Sequence, residues 1–321
     1  MIQRRDALRA CVGVGVLGAA APGALVQHKP GKPLFKISLA QWSLNRTIRA
    51  GEMSHLEFIT AARERFDIDA IEYVSQFFSD KGGDFAYARE MNRRAMDAGV
   101  DQLLIMVDGE GRLGDPDPTA RRQAVENHVK WIESAVMLGC RCIRVNAGSE
   151  GSREEQAKLV ADGLHRLATI AEASRSAIVV ENHGGLSSDG AWLADVIRRV
   201  AHPRCGTLPD FGNFCLDYSK QDDPSAWYDR YQGVRELMPF ALAVSAKSYD
   251  FDDAGDETTI DYERMMRIVT EAGYRGYVGI EYEGARLGEI EGVLATKRLL
   301  ERVRGKLGPT FTLPSTPDRS P

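Results

Sequence analysis

Four stretches in the second half of the chain carry acid, base and amide side chains straight out of apolar runs. "AIVVENHGG" (177–185) delivers Glu181 and His183, and "CGTLPDFGNF" (205–214) delivers Asp210 and Asn213. "ALAVSAKSYDF" (241–251) delivers Ser245 and Lys247, and "GYVGIEYEG" (276–284) delivers Glu281 and Glu283. Earlier runs contribute Glu72, then Arg144 and Asn146. Carboxylates beside an imidazole and an ammonium suit general acid–base work or the binding of a cation. Trp42, after "SLAQ", is either a core aromatic or a platform on which a sugar stacks.

The apolar runs read as strands buried on both faces, and helical patterns separate them. "SHLEFITAARERF" (54–66) has Ser54 as N-cap with Glu57 three residues on, a capping box. Eight strand–helix units alternate through residues 35–304. Such alternation implies a parallel sheet. Eight units point to a single α/β domain, a closed (β/α)8 TIM barrel, over residues 33–305. No glycine-rich phosphate loop follows the first strand, so nothing favours a nucleotide fold. Barrel active sites lie at the C-terminal ends of the strands, where these polar residues fall. Side chains alternate along a strand, so Glu181 with His183, Ser245 with Lys247, and Glu281 with Glu283 can share the axial face. Carboxylates gathered at one mouth repel one another unless a cation or shared protons offset the charge.

The ends of the chain read differently. Residues 1–26 carry Arg4-Arg5, a short Gly/Ala-rich apolar stretch and the small residues Ala19-Ala20-Ala21. This is the pattern of a cleavable, twin-arginine-like export signal. It implies a bacterial periplasmic protein that meets the twin-arginine translocation machinery and has no stable membrane insertion once the signal is removed. Residues 306–321, rich in proline and serine, read as a disordered tail. The net charge of -5 argues against a nucleic-acid partner. Cys140, Cys142, Cys205 and Cys215 sit in apolar strand contexts and read as free buried thiols.

In order, "VVENHGG", "LPDFGNF", "SAKSYDF" and "GIEYEG" resemble the last four strands of the xylose isomerase-like TIM barrels, over about residues 35–304. That superfamily includes sugar isomerases and epimerases. The resemblance implies a divalent metal (Mn, Mg or Co) held by Glu181, Asp210 and Glu281. The family's histidine on strand 7 is replaced here by Ser245. Either the metal stays on the three carboxylates, or the Lys247 ammonium takes over part of its charge role. The implied chemistry is proton transfer next to a carbonyl of a free sugar or keto-sugar. Glu181 and Glu281 would move the proton, and Lys247 or His183 would stabilise the enediolate oxygen. Trp42, Glu72, Asn146 and Asn213 are the expected substrate contacts. An isomerase or epimerase is the leading expectation. A lyase or glycoside-cleaving enzyme working through the same enediolate is the alternative, and a carbohydrate-binding barrel without catalysis is the third.

Overall fold

The computed structural model describes residues 33–308. The expected export signal at 1–26 lies outside the described residues, as does the expected 306–321 tail beyond 308, whereas Lys306 and Leu307 belong to the helix Glu289–Leu307. Among the described residues no helix is long and apolar enough to cross a membrane.

The strands are β1 (Lys36–Ala40), β2 (Ala70–Val74), β3 (Asp101–Met106), β4 (Cys142–Val145), β5 (Ala177–Glu181), β6 (Cys205–Leu208), β7 (Val244–Ser248) and β8 (Tyr277–Tyr282). The helices are α1 (Asn45–Arg49), α2 (His55–Phe66), α3 (Phe85–Ala98), α4 (Pro118–Leu138), α5 (Arg153–Glu172), α6 (Gly190–Val200), α7 (Arg230–Leu237), α8 (Tyr262–Glu271) and α9 (Glu289–Leu307). All strand pairs are parallel, in the order β6-β5-β4-β3-β2-β1-β8-β7. Parallel bridges Thr207–Ala241 and Asp210–Ser245 join β6 to β7 and complete the ring. The Ser245 amide donates to the Pro209 carbonyl, and the Phe211 amide donates to the Ser245 carbonyl. This is the expected (β/α)8 barrel, with α1 as an extra single turn after β1.

Local signals act as the sequence implies. Ser54 and Glu57 form a reciprocal capping box at the start of α2. The apolar run "FKISLAQWSL" (35–44) reads as a strand throughout, but it is one only over Lys36–Ala40, because Gln41–Leu44 turn into a 3₁₀ helix. All four cysteines among the described residues are free and buried. Alternation along the strands divides the core in two. Ile37, Leu39, Ile71, Tyr73, Val244 and Ile280 pack outward against the helices. Leu104, Met106, Cys142, Val179 and Leu208 pack together inside the ring and floor the mouth.

Candidate active site

Register decides which inward residues meet. Lys247 on β7 pairs directly with Glu281 on β8, and Asp210 bridges Ser245. Side chains from these two successive inward layers meet at the C-terminal mouth, where Ser245 Oγ reaches both Asp210 and Glu281. There Trp42, Asp108, Arg144, His183, Asn213, Lys247, Glu281 and Glu283 line a cavity of about 350 Å³.

Each carboxylate at its centre is held by fixed donors. Asp210 Oδ1 accepts from the Gly212 and Asn213 amides, both at 2.8 Å, so the turn "DFGN" aims Oδ2 inward. Glu181 Oε1 accepts from Asn213 Nδ2 at 3.0 Å. Arg144 Nε lies 2.8 Å from Glu181 Oε2, but its N–H is not directed at that oxygen, so the contact is an ion pair only. Glu281 Oε1 accepts from Lys247 Nζ at 3.0 Å, and Glu283 Oε1 lies 3.3 Å from the same ammonium. Trp42 Nε1 donates to Glu283 Oε1 at 2.5 Å. Asn182 explains the middle of "ENH". Its amide donates to the Asp210 and Asn213 carbonyls and accepts from the Asp210 amide, tying β5 to the loop after β6.

Burial and neighbours split the charges. Glu181 and Asp210 are both pushed up to about 7, chiefly by burial. For Glu281, burial pushes upward but Lys247, Arg144 and Ser245 outweigh it, and its carboxyl is held below the usual range. Burial disfavours the Lys247 ammonium, yet the surrounding carboxylates hold it well above its ordinary value. Asp108, held to Arg144 Nη1 and Asn146 Nδ2 at 2.8 Å each, is depressed to about 2, since Arg144 outweighs the cost of burial.

A divalent metal fits these residues. Ligand oxygens of Glu181, Asp210 and Glu281 lie within 4.8 Å of one another, and all three side chains are buried. Glu181 Oε2 is buried without a hydrogen bond. Ser245 Oγ lies 2.6 Å from Asp210 Oδ2 and 2.9 Å from Glu281 Oε2. One hydroxyl proton cannot serve both carboxylates, so the second needs a further proton or a cation. Arg144 and Lys247 also fall short of balancing Asp108, Glu181, Asp210, Glu281 and Glu283. Oxygen-only ligation suits a hard ion such as Mg²⁺ or Mn²⁺.

Of the expected residues, Glu181, Asp210, Asn213, Lys247, Glu281, His183 and Trp42 gather at the mouth. Asn146 acts through Asp108. Glu72 does not take the expected substrate-contact position. It pairs with Leu104, whose neighbour is Cys142, whereas Val74 pairs with Met106 beside Arg144, so Glu72 sits one inward layer lower. There its carboxylate accepts from Ser38 Oγ at 2.6 Å, and its other oxygen has no partner. Gly279 makes the room, since a Cβ there would lie 2.6 Å from Glu72 Oε1. Asp108, Gln76 and Tyr218 complete the cavity wall and were not among the expected residues.

Burial lifts Glu72 to about 7, with Ser38 opposing the shift and Glu281 and Glu181 adding to it. A carboxyl held above its unfolded value of about 4.3 stabilises the fold only while protonated. That contribution is complete below the unfolded value and is lost as pH rises toward 7. Glu72→Gln is therefore expected to gain on the wild type across this window, by about 3 kcal/mol at its upper end. Denaturant melts at pH 5 and pH 8 measure it. A stability difference that does not change with pH would show that Glu72 titrates normally.

Comparison with known proteins agrees with this fold. Residues 60–304 match the family model described as xylose isomerase-like TIM barrel. A C-glycoside deglycosidase alpha subunit from Arthrobacter globiformis is 34% identical over 99 residues, covering 29% of this chain and 26% of that protein. A 3'-dehydrocarminate deglycosidase alpha subunit from a Microbacterium species is 31% identical over 84 residues, covering 25% of this chain and 24% of that protein. The matched segments thus span about a quarter of each relative's own length. Among solved structures, a xylose isomerase domain protein from Planctomyces limnophilus superposes with a TM-score of 0.62 at 18% identity, over 88% of this chain and 100% of that one. A 3-keto-D-glucoside 4-epimerase from E. coli gives 0.60 at 15% identity, over 84% and 99%. The IOLI protein, solved with a bound zinc atom, gives 0.63 at 15% identity, over 85% and 99%. The family match covers most of the chain and ends within its last helix, and this chain belongs to the xylose isomerase-like TIM-barrel family.

Proposed function

We propose that this chain moves a proton on the carbon next to a carbonyl of a free sugar or keto-sugar, as an isomerase or epimerase. One observation carries the reading. Glu281 from β8 lines the cavity, and ligand oxygens of Glu181 from β5 and of Asp210 lie within 4.8 Å of its carboxylate and of each other in one buried cluster. A divalent ion held by Glu181, Asp210 and Glu281 would supply Lewis-acid polarisation of the substrate's oxygens. One glutamate removes the proton and the other returns it to the same or the adjacent carbon. Lys247 and His183 face the cavity and offer donors to the oxygen that gains charge. Asp108 holds Arg144 at its side of the cavity, and Arg144 in turn lies against Glu181.

The names of the two curated relatives favour a second reading on the same residues. If the carbon beyond the one that loses its proton carries a substituent, the electron pair can expel that substituent. The C–H bond then breaks, a C=C bond forms, and the leaving group departs with a proton from the second carboxyl group. The test is solvent deuterium exchange by NMR across a panel of keto-sugars and keto-glycosides. Deuterium at the carbon beside the carbonyl of a product that has lost no substituent supports isomerisation or epimerisation. Loss of that C–H signal with a released substituent supports cleavage. Neither exchange nor a released substituent with any member would contradict both.

A further inference from the structure

Tyr218 has a surface placement that the barrel itself does not require. Its side chain is 53% exposed, yet it lines the catalytic cavity. Its position is set from three sides. Gly184, at φ +91, leaves no Cβ, and one built there would lie 2.9 Å from Tyr218 Cε2. Asp217 caps the short turn Tyr218–Lys220 by accepting from the Ser219 amide at 3.0 Å. The loop's base is closed by the antiparallel bridge Cys215–Trp227. The Tyr218 hydroxyl has no hydrogen-bond partner among the described residues, so the ring has an open face and a free polar tip. The approach of Tyr218 accounts for Gly184, the first glycine after "ENH", whereas Gly185 stands in open space at φ +58.

Trp42 lines the same cavity from the loop after β1. Its indole N–H is fixed on Glu283, and the Arg49 guanidinium lies 5.3 Å from its ring centre. The carboxylate cluster is buried at the floor, whereas Tyr218 is exposed at the rim. A sugar ring that reaches the carboxylates would carry its substituent up past Tyr218. Flat π faces held in place with few rotatable bonds suit a planar aromatic group.

We infer that Tyr218, facing the cavity with Trp42, forms a subsite for an aromatic substituent on the sugar, so that the substrate class is aryl glycosides. This rests on the sugar reading above and deepens it. The probes are phenyl β-D-glucoside and methyl β-D-glucoside, which lack the keto group and so bind without reacting. Their dissociation constants for the metal-loaded protein are measured by titration calorimetry. The wild type is expected to prefer the phenyl glucoside by about tenfold. Tyr218→Phe keeps that preference, and Tyr218→Ala brings the ratio to within about twofold of unity. The ratio is the readout, so a general loss of affinity in a variant cancels. Equal affinities in the wild type, or a preference that survives Tyr218→Ala, would overturn the subsite and leave the sugar reading standing. Binding of neither glucoside, together with no deuterium exchange on the keto-sugar panel, would overturn both.

Discussion

Glu281→Gln is expected to lower turnover of an accepted keto-sugar by about 10²- to 10⁴-fold, with the barrel intact. Glutamine keeps the shape of the side chain: its carbonyl oxygen can still accept from Lys247, and its amide nitrogen, in the place of Oε2, can donate to the Ser245 hydroxyl oxygen. It cannot take up a proton. The buried ammonium retains Glu283 at 3.3 Å, so the substitution does not strand it. Glu181→Gln should fall in the same range, because the returning proton needs a second carboxyl group. Steady-state kinetics with circular dichroism as the folding control measures both. Wild-type turnover in either variant would remove the two-carboxylate mechanism.

Lys247→Met should have the largest effect on stability, and the effect should depend on metal. Lys247 is 1% exposed and its ammonium stands against Glu281 and Glu283. Removing one partner of a buried charge cluster costs about 3–5 kcal/mol, because the opposite charges remain. In chelator the variant should therefore melt about 10 °C below the wild type. A dication bound at Glu181, Asp210 and Glu281 offsets the same negative charge, so added Mn²⁺ should raise the variant's melting temperature more than the wild type's. If the variant gains nothing from Mn²⁺, the ammonium and not a metal balances the cluster.

The parts of this site that could be read from sequence are those that depend on periodicity. Alternation alone placed Glu181 with His183, Ser245 with Lys247, and Glu281 with Glu283 on the axial side, and the barrel puts them there. Strand–helix alternation was enough for the architecture, and the Ser54–Glu57 capping box marked a helix start correctly. Depth was not legible. Parity says that Glu72 faces inward, but only the register of β2 against β3 shows that it lies below the mouth. Asp108 was available by the same rule, since it lies two residues past Met106 on the inward face of "DQLLIMVD". Gln76 and Tyr218 sit in turns after strands, where no periodicity tells which way a side chain points. Asn182 is one residue out of phase with Glu181, so alternation gives it no place on the axial face. Instead it joins two strand ends through backbone groups, a role that only the β5–β6 pairing reveals.

Ser245 is the sharpest departure from the family pattern, and it bears on whether three carboxylates suffice for a metal. The most direct measurement is elemental analysis of the protein purified without chelator or affinity metal, followed by Mn²⁺ titration. About one equivalent of a divalent metal, lost in Glu181→Gln, is the expected result. No metal on purification and none taken up on titration would contradict it, and would leave Lys247 and Arg144 as the counter-charges of the carboxylate cluster.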